Sequence, residues 1–296
     1  MPSKSVTASS SQTALRPYRA CVTEVGAVEV AADVLGLHIV RRFDQSMFGA
    51  ALVEGRGESP LVLKASTDLT LAPEWAMGAT TAARLREDGY PASHYVETGA
   101  TDAIVWSLQA VLPGHVPPMF TVGHAEQLVG LARRHDIDSR MRRPWEAMAR
   151  DISRRALSDI GPLPNAFDAT LRSVLDRNVA LAETTVVHSD FHHRNFLVDD
   201  DDRVTGVFDW DIAGPGDWRF DLVTLAFACQ MYPKTCEPAA IATVNAAVRE
   251  HCDGPTAAFL NACQTLRALS MLQSRRPDLV DRASTRMQAT FAEWWS

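Results

Sequence analysis

No apolar run in this 296-residue sequence approaches the roughly 18 residues that a membrane-spanning helix requires, so the chain does not read as a membrane protein. Cysteine is scarce and scattered: Cys21, Cys229, Cys236, Cys252 and Cys263 are odd in number and contain no Cys-x-x-Cys pair. That pattern indicates neither a disulfide framework nor a zinc site, and it fits a reducing cytoplasm. The opening stretch MPSKSVTASSSQTALRP lacks the apolar core of about 7 to 15 residues that a secretory signal needs, and residues 1–17 read as a disordered tail. Positive charge is also short. The formal net charge is −7 and lysine occurs only at positions 4, 64 and 234, which argues against a nucleic-acid partner. The one arginine cluster, Arg133 to Arg155, is broken up by Asp136, Asp138, Glu146 and Asp151, the mixed charge of a solvated helical surface.

What remains is the composition of an ordinary globular protein, 46% hydrophobic and 22% charged, long enough for two packed lobes. The periodicities place them at 18–112 and 113–296. The first reads as an amphipathic helix over Val22 to Leu37, closed by Gly36, then strands over Leu37–Phe43, Ala50–Glu54 and Pro60–Ala65 joined by turn-forming residues. Ala72-Pro73-Glu74 opens a further helix that runs to about Gly89, and strands follow at Ser93–Glu97 and Ala103–Val111. From Val122 the period is helical: Val122–His135, Trp145–Ser158, Pro164–Ala182, Asp217–Met231, Pro238–His251, Pro255–Gln273 and Asp278–Trp295. One β segment interrupts it, with short runs at Thr184–Val187, Phe196–Val198 and Val204–Phe208. The fold class is therefore α+β, a small lobe of antiparallel sheet with helix followed by a large, mainly helical lobe. Active chemistry is expected between the two.

The densest chemical text is VVHSDFHHRNFLVDDDDRVTGVFDWD, residues 186–211. Asp190 follows one strand, Asn195 precedes a second and Asp209 ends a third, which predicts one candidate base and two oxygen ligands at the same edge of a small sheet. Phosphoryl transfer needs such a set, because its transition state carries charge on oxygens and the protein supplies position, metal and a proton acceptor. An amide oxygen and a carboxylate suit Mg²⁺, which takes a few oxygen ligands alongside phosphates and water.

His188-Ser189-Asp190 through Asn195-Phe196-Leu197, with the later Phe208-Asp209-Trp210, resembles the motifs of the aminoglycoside phosphotransferase family of protein-kinase-like small-molecule kinases. That family shows H-G-D-x-H-x-x-N-x-L and then a strand ending in D-W or D-F. The resemblance implies a bilobal protein-kinase-like fold, with Asp190 as catalytic base, Asn195 and Asp209 holding Mg²⁺, and His188 and His192 supporting the loop. In Gly216-Asp217 to Asp221-Leu222 it implies that Asp221 braces the catalytic loop through backbone N–H groups. Lys64, on Leu61-Val62-Leu63-Lys64, falls where the family carries its nucleotide-phosphate lysine, a point charge on the phosphates. Glu74 is its candidate partner, although the family's E-x-x-x-L-x-x-L spacing counted back from Leu85 lands on Gly78. There is no G-x-G-x-x-G, so the turn Gln45–Gly49 would close over the phosphates through Ser46 and backbone N–H groups. Gln109 to Val111 would contact the base. Ser189 and Arg194 stand where the family has glycine, and Arg194 would reach either phosphate or solvent.

The activity implied is ATP- or GTP-dependent phosphorylation of a small-molecule hydroxyl, by a monomer or weak homodimer. The preferred acceptor is an aminoglycoside or basic peptide antibiotic, with resistance as the outcome; the alternatives are a macrolide or a metabolite such as homoserine, choline or methylthioribose. Two other classes compete. His188, His192 and His193 could form a zinc hydrolase site, but the adjacent pair would point apart in an extended segment and Asn195 and Asp209 would lack a role. A pseudokinase would have lost the base or a metal ligand, and both are present.

Overall fold

A computed structural model describes residues 24–43, 49–55 and 59–295. The N-terminal tail and the turns expected at 45–48 and 56–58, with Ser46, lie outside them. Helix α1 (Glu24–Leu35) ends as its sequence foretold. Gly36 takes φ +67°, Leu37 N donates to Ala32 O at 2.8 Å and Gly36 N to Asp33 O at 3.2 Å. Both bonds belong to a Schellman ending, which needs a residue free to adopt left-handed backbone.

Five antiparallel strands, β1 (His38–Arg42), β2 (Gly49–Glu54), β3 (Leu61–Ser66), β4 (Tyr95–Ala100) and β5 (Val105–Ala110), pair in the order β1-β2-β3-β5-β4. The small side chains Ala27, Val28, Ala31 and Ala32 of α1 pack into one core with Ala51, Val53, Leu61, Leu63 and Ala65 of β2 and β3. Side chains alternate along a strand, so covering Leu63 and Ala65 with α1 turns Lys64 to the opposite face, towards the second lobe. Helix α2 (Ala72–Glu87) buries Trp75, Gly78, Thr81, Ala82 and Leu85, a stripe at helical spacing. Ala82 and Leu85 join the core of the second lobe, so α2 seats the small lobe on the large one.

The large lobe contains α3 (Val122–Arg133), α4 (Trp145–Asp159), α5 (Asn165–Leu175), α6 (Arg219–Met231), α7 (Pro238–His251), α8 (Gly254–Arg275) and α9 (Val280–Trp295). Helix α8 is central, with Phe259, Leu260, Ala262, Leu266 and Leu269 buried. It is capped by Asp253, whose side chain accepts from Thr256 N at 2.8 Å.

The structure corrects the sequence reading in two places. Helix α5 stops at Leu175 instead of running to Ala182, because the following backbone is bonded elsewhere: Ala182 N donates to Asp217 and Ala180 O accepts from Arg219. The catalytic segment forms two two-stranded sheets, not one. Strand β6 (Thr185–Val187) pairs with β9 (Gly214–Gly216), while β7 (Phe196–Val198) pairs with β8 (Val204–Val207). Strand β9 has no apolar alternation to betray it. Its glycines are demanded by space, since a Cβ at Gly216 would lie 2.6 Å from the Trp145 ring and 2.7 Å from Val187.

Candidate active site

Strand β6 delivers the chain to His188-Ser189-Asp190 at the junction of the lobes. His188 is fully buried: its Nε2 lies 3.0 Å from Phe208 O, its Nδ1 accepts from Asp190 N at 3.2 Å, and its ring packs on Trp210. Burial holds this imidazole below its ordinary pKa, which matches a neutral ring donating from Nε2 and accepting at Nδ1. Asp221, at the start of α6, accepts from His188 N at 2.8 Å and Ser189 N at 2.9 Å. It also meets His135 Nδ1 at 2.8 Å, and His135 Nε2 lies 2.8 Å from the Tyr90 hydroxyl. Asp221 thus bonds two consecutive N–H groups of the loop, and the His135–Tyr90 pair behind it was not expected from the sequence.

Two non-glycine residues of the site adopt left-handed backbone, Ser189 at φ +69° and Asp209 at φ +71°. Such backbone costs an L-residue about 1–2 kcal/mol. At Ser189 this explains why a related sequence would carry glycine there. Its conformation is held at both ends, by Asp221 on the N–H and by Arg267 of α8 on the carbonyl.

Arg267 also meets Asp190 Oδ1 at 3.1 Å, while Asn195 Nδ2 donates to Asp190 O at 3.0 Å and to Oδ2 at 3.2 Å. His192 Nε2 stands 3.5 Å from Oδ2. Burial would raise the Asp190 pKa, but the charges of His192 and Arg267 outweigh it and hold the carboxyl well below the ordinary range. Asn195 thereby spends its amide nitrogen and keeps its amide oxygen for another partner. Arg194 is exposed; its backbone N donates to His192 Nδ1 at 3.1 Å, and among the described residues its side chain has no bonded partner.

Across the cleft, Lys64 Nζ donates to Asp209 Oδ1 at 2.6 Å and Asp211 Oδ2 at 2.7 Å. Burial alone would lower its pKa; the two carboxylates more than reverse this and raise it. Asp211 is fastened from the far side by the Tyr95 hydroxyl at 2.9 Å. The expected Glu74 partnership is not formed. Glu74 lies near Arg143 instead, its carboxyl raised by burial against the pull of that guanidinium. The reason lies one turn along α2. A Cβ at Gly78 would sit 2.1 Å from Trp210 O, so no side chain fits at the position that the family spacing marks for glutamate. Asp211, two residues after Asp209, supplies the second carboxylate.

Replacing Gly78 by alanine forces α2 away from the Trp210 carbonyl. We expect a stability loss of about 1–3 kcal/mol in denaturant titration; an unchanged midpoint would mean that α2 shifts freely.

The cleft opens into a cavity of about 320 Å³ whose lining includes Lys64, Asp190, Asp209 and Asp211. Its walls are Met77, Trp145, Met148, Ile152, Phe220 and Met271, with Arg143, Arg155, Arg267, Glu74 and Asp159 supplying charge. Gln109, buried on β5 with its amide on Ser107 Oγ at 3.3 Å, and exposed Val111 lie outside that cavity, where the chain crosses between lobes. The three histidines do not converge: His188 is bonded to Phe208, His192 faces Asp190 and His193 contacts Thr235. Asp211, Tyr95, His135 and Arg267 were not assigned from sequence. Arg267 had a visible signal, a lone cation between the buried Leu266 and Leu269 of an otherwise apolar stripe.

A half-buried carboxylate held by an arginine and an asparagine, a lysine between two carboxylates and a two-lobed frame invite comparison with known proteins. Residues 53–258 match the model of the phosphotransferase enzyme family APH. The chain belongs to this family. It is thus a phosphotransferase of the protein-kinase-like fold, as the sequence resemblance implied. No curated protein matches the chain. Among solved structures, an aminoglycoside-3'-phosphotransferase of type VIII shares 22% identity over 81% of this chain and 98% of its own, with a TM-score of 0.62. A macrolide 2'-phosphotransferase, MphH from Brachybacterium faecium, shares 16% over 88% and 97%, with a TM-score of 0.58. The amicoumacin kinase hAmiN, in complex with AMP-PNP, Ca²⁺ and its antibiotic, shares 13% over 86% and 88%, also at 0.58. Among the described residues of this phosphotransferase no helix is long and apolar enough to cross a membrane.

Proposed function

We propose that this phosphotransferase moves the terminal phosphoryl group of ATP or GTP to a hydroxyl of a small antibiotic with an apolar body. The observation that carries the reading is Asp190, an ionised carboxylate held by Arg267 and Asn195 in the lining of a cavity that Lys64 also lines. Asp190 orients the acceptor hydroxyl. As the acceptor oxygen bonds to phosphorus, the bond from phosphorus to the nucleoside diphosphate breaks and the hydroxyl proton passes to the Asp190 carboxylate. A base of low pKa suits this order, because a loose phosphoryl transfer demands proton removal only late.

The Asp209 carboxylate and the Asn195 amide oxygen form a hard-oxygen donor pair that fits Mg²⁺, and they would hold it. The ion would neutralise phosphate charge. Lys64 would contact the phosphates, anchored by Asp211, whose bond to Tyr95 leaves it committed to that task. The small lobe, 18–112, would bind nucleotide through Gln109 to Val111 and the turn carrying Ser46, and the large lobe, 113–296, would bind the acceptor. The AMP-PNP held by the amicoumacin kinase supports a nucleotide donor.

The cavity walls bear on the acceptor. Five carboxylates, of Glu74, Asp159, Asp190, Asp209 and Asp211, and four cations, Lys64, Arg143, Arg155 and Arg267, line the cavity, and the remaining surface is largely aliphatic and aromatic. With those charges nearly balanced, the apolar walls carry the choice, and they favour a macrolide-like acceptor over an aminoglycoside or basic peptide. The test is a panel of macrolides, aminoglycosides, basic peptides, choline and homoserine with ATP and GTP, read as nucleotide consumption and product mass. Turnover with apolar-bodied acceptors is expected. Turnover confined to polycations would overturn the substrate reading.

A further inference from the structure

Behind the catalytic loop, on the side away from Asp190, lies a cluster that the reaction does not use. His193 follows His192 in the loop, and while His192 stands beside Asp190, His193 contacts Thr235 in the connection after α6. Cys229 lies in the last turns of α6 and Cys236 follows the single 3-10 turn Pro233–Thr235. One imidazole nitrogen and the two sulfurs all lie within 4.8 Å of one another. The three residues are 3%, 0% and 4% exposed, so the cluster is dry.

His193 Nε2 lies 3.1 Å from Thr235 Oγ1, but its Nδ1 is buried without a hydrogen-bond partner. An unsatisfied buried polar atom costs about 1–3 kcal/mol. We propose that His193, Cys229 and Cys236 form a structural zinc site that clips the catalytic loop to the end of α6.

Charge and softness favour this occupant. Two thiolates and a neutral imidazole around a divalent ion sum to zero, so the complex sits in an apolar interior without an uncompensated charge. Thiolate and imidazole are ligands of zinc and unlike the oxygen set that magnesium takes, so the two cations would not compete for one place. Structural zinc is four-coordinate, so the three side chains would supply three ligands, and the Thr235 hydroxyl, 4.0 Å from Cys236 Sγ, is the nearby oxygen that could supply a fourth. The odd, scattered cysteines concealed the site, since His193 stands far from both in sequence and the cysteines are separated by six residues rather than two.

The clip would act on the loop itself. His193 is two residues from Asn195, and the backbone on either side of Cys236 is tied to Phe120, whose N donates to Thr235 O at 2.8 Å and whose O accepts from Glu237 N at 2.9 Å. Zinc would therefore hold the Asn195 end of the loop as Asp221 holds the Ser189 end.

The experiment uses the full chain, purified under reductant from zinc-supplemented culture, with metal content read by plasma mass spectrometry. One zinc per chain is expected, surviving gel filtration and falling away in Cys229→Ser and Cys236→Ser. Exchange of wild-type protein into cobalt chloride should produce a sulfur-to-cobalt charge-transfer band, a readout that needs no variant to fold. Chelation should lower the unfolding midpoint and zinc chloride restore it. A metal-free chain that takes up neither zinc nor cobalt overturns the proposal. So does zinc retained by the double cysteine variant, or a Cys229–Cys236 disulfide found in the reductant-treated protein.

Discussion

Substituting alanine for Asp190 is expected to lower turnover by about 10²- to 10⁴-fold, the range that a positioned general base contributes. Nucleotide affinity measured by calorimetry should stay close to that of the wild type, because Lys64, Asp209 and Asp211 lie across the cleft and keep their bonds to one another. The split between turnover and binding separates a base from a residue that merely holds the loop. The pH profile adds a second readout. Burial raises the Asp190 carboxyl, but His192 and Arg267 more than reverse it, so the group stays ionised throughout the range in which an ordinary carboxylate titrates. The wild-type rate should therefore show no acid limb at the usual carboxylate pKa of about 4. Wild-type-like turnover in the alanine variant would remove Asp190 from the mechanism.

The larger effect on stability belongs to Asp221. It is fully buried and accepts from two consecutive backbone N–H groups, those of His188 and Ser189, and it meets His135 as well. Alanine at this position strands all three partners away from water. Loss of one member of a buried charged network costs about 3–5 kcal/mol, and chemical denaturation should show a deficit of that size. The Ser189 left-handed turn loses one of its two anchors at the same time, so activity should fall even at temperatures where the variant remains folded. A stability within about 1 kcal/mol of the wild type, the scale of an ordinary point substitution, would show that the brace is dispensable.

These two residues differ from their neighbours in how they could be found. Asp190 and Asp221 sit in local motifs, where a few adjacent residues carry the pattern. The termination of α1 at Gly36 was equally local: a left-handed residue after an apolar helix has few other uses. The failures have another origin. Glu74 seemed the partner of Lys64 because it lies in the right helix. Whether a helix residue reaches a strand residue depends on how closely the helix approaches the segment after Asp209, and here Gly78 allows contact with the Trp210 carbonyl. The apolar period of α5 continues past Leu175, whereas the bonds that end the helix come from Asp217 and Arg219.

Sequence by itself determined the two-lobed α+β class, most helices and strands, and the loop bearing Asp190, Asn195 and Asp209, because hydrophobic period and short motifs are properties of neighbouring residues. Only the tertiary structure decided that Lys64 rests on Asp211, that Arg267 and His135 bond to the loop and its brace, that the cavity has apolar walls with acidic and basic groups nearly balanced, and that His193 meets Cys229 and Cys236. Each of those is a contact between segments distant in the chain, and its existence depends on packing distances of a few ångströms that no local pattern encodes.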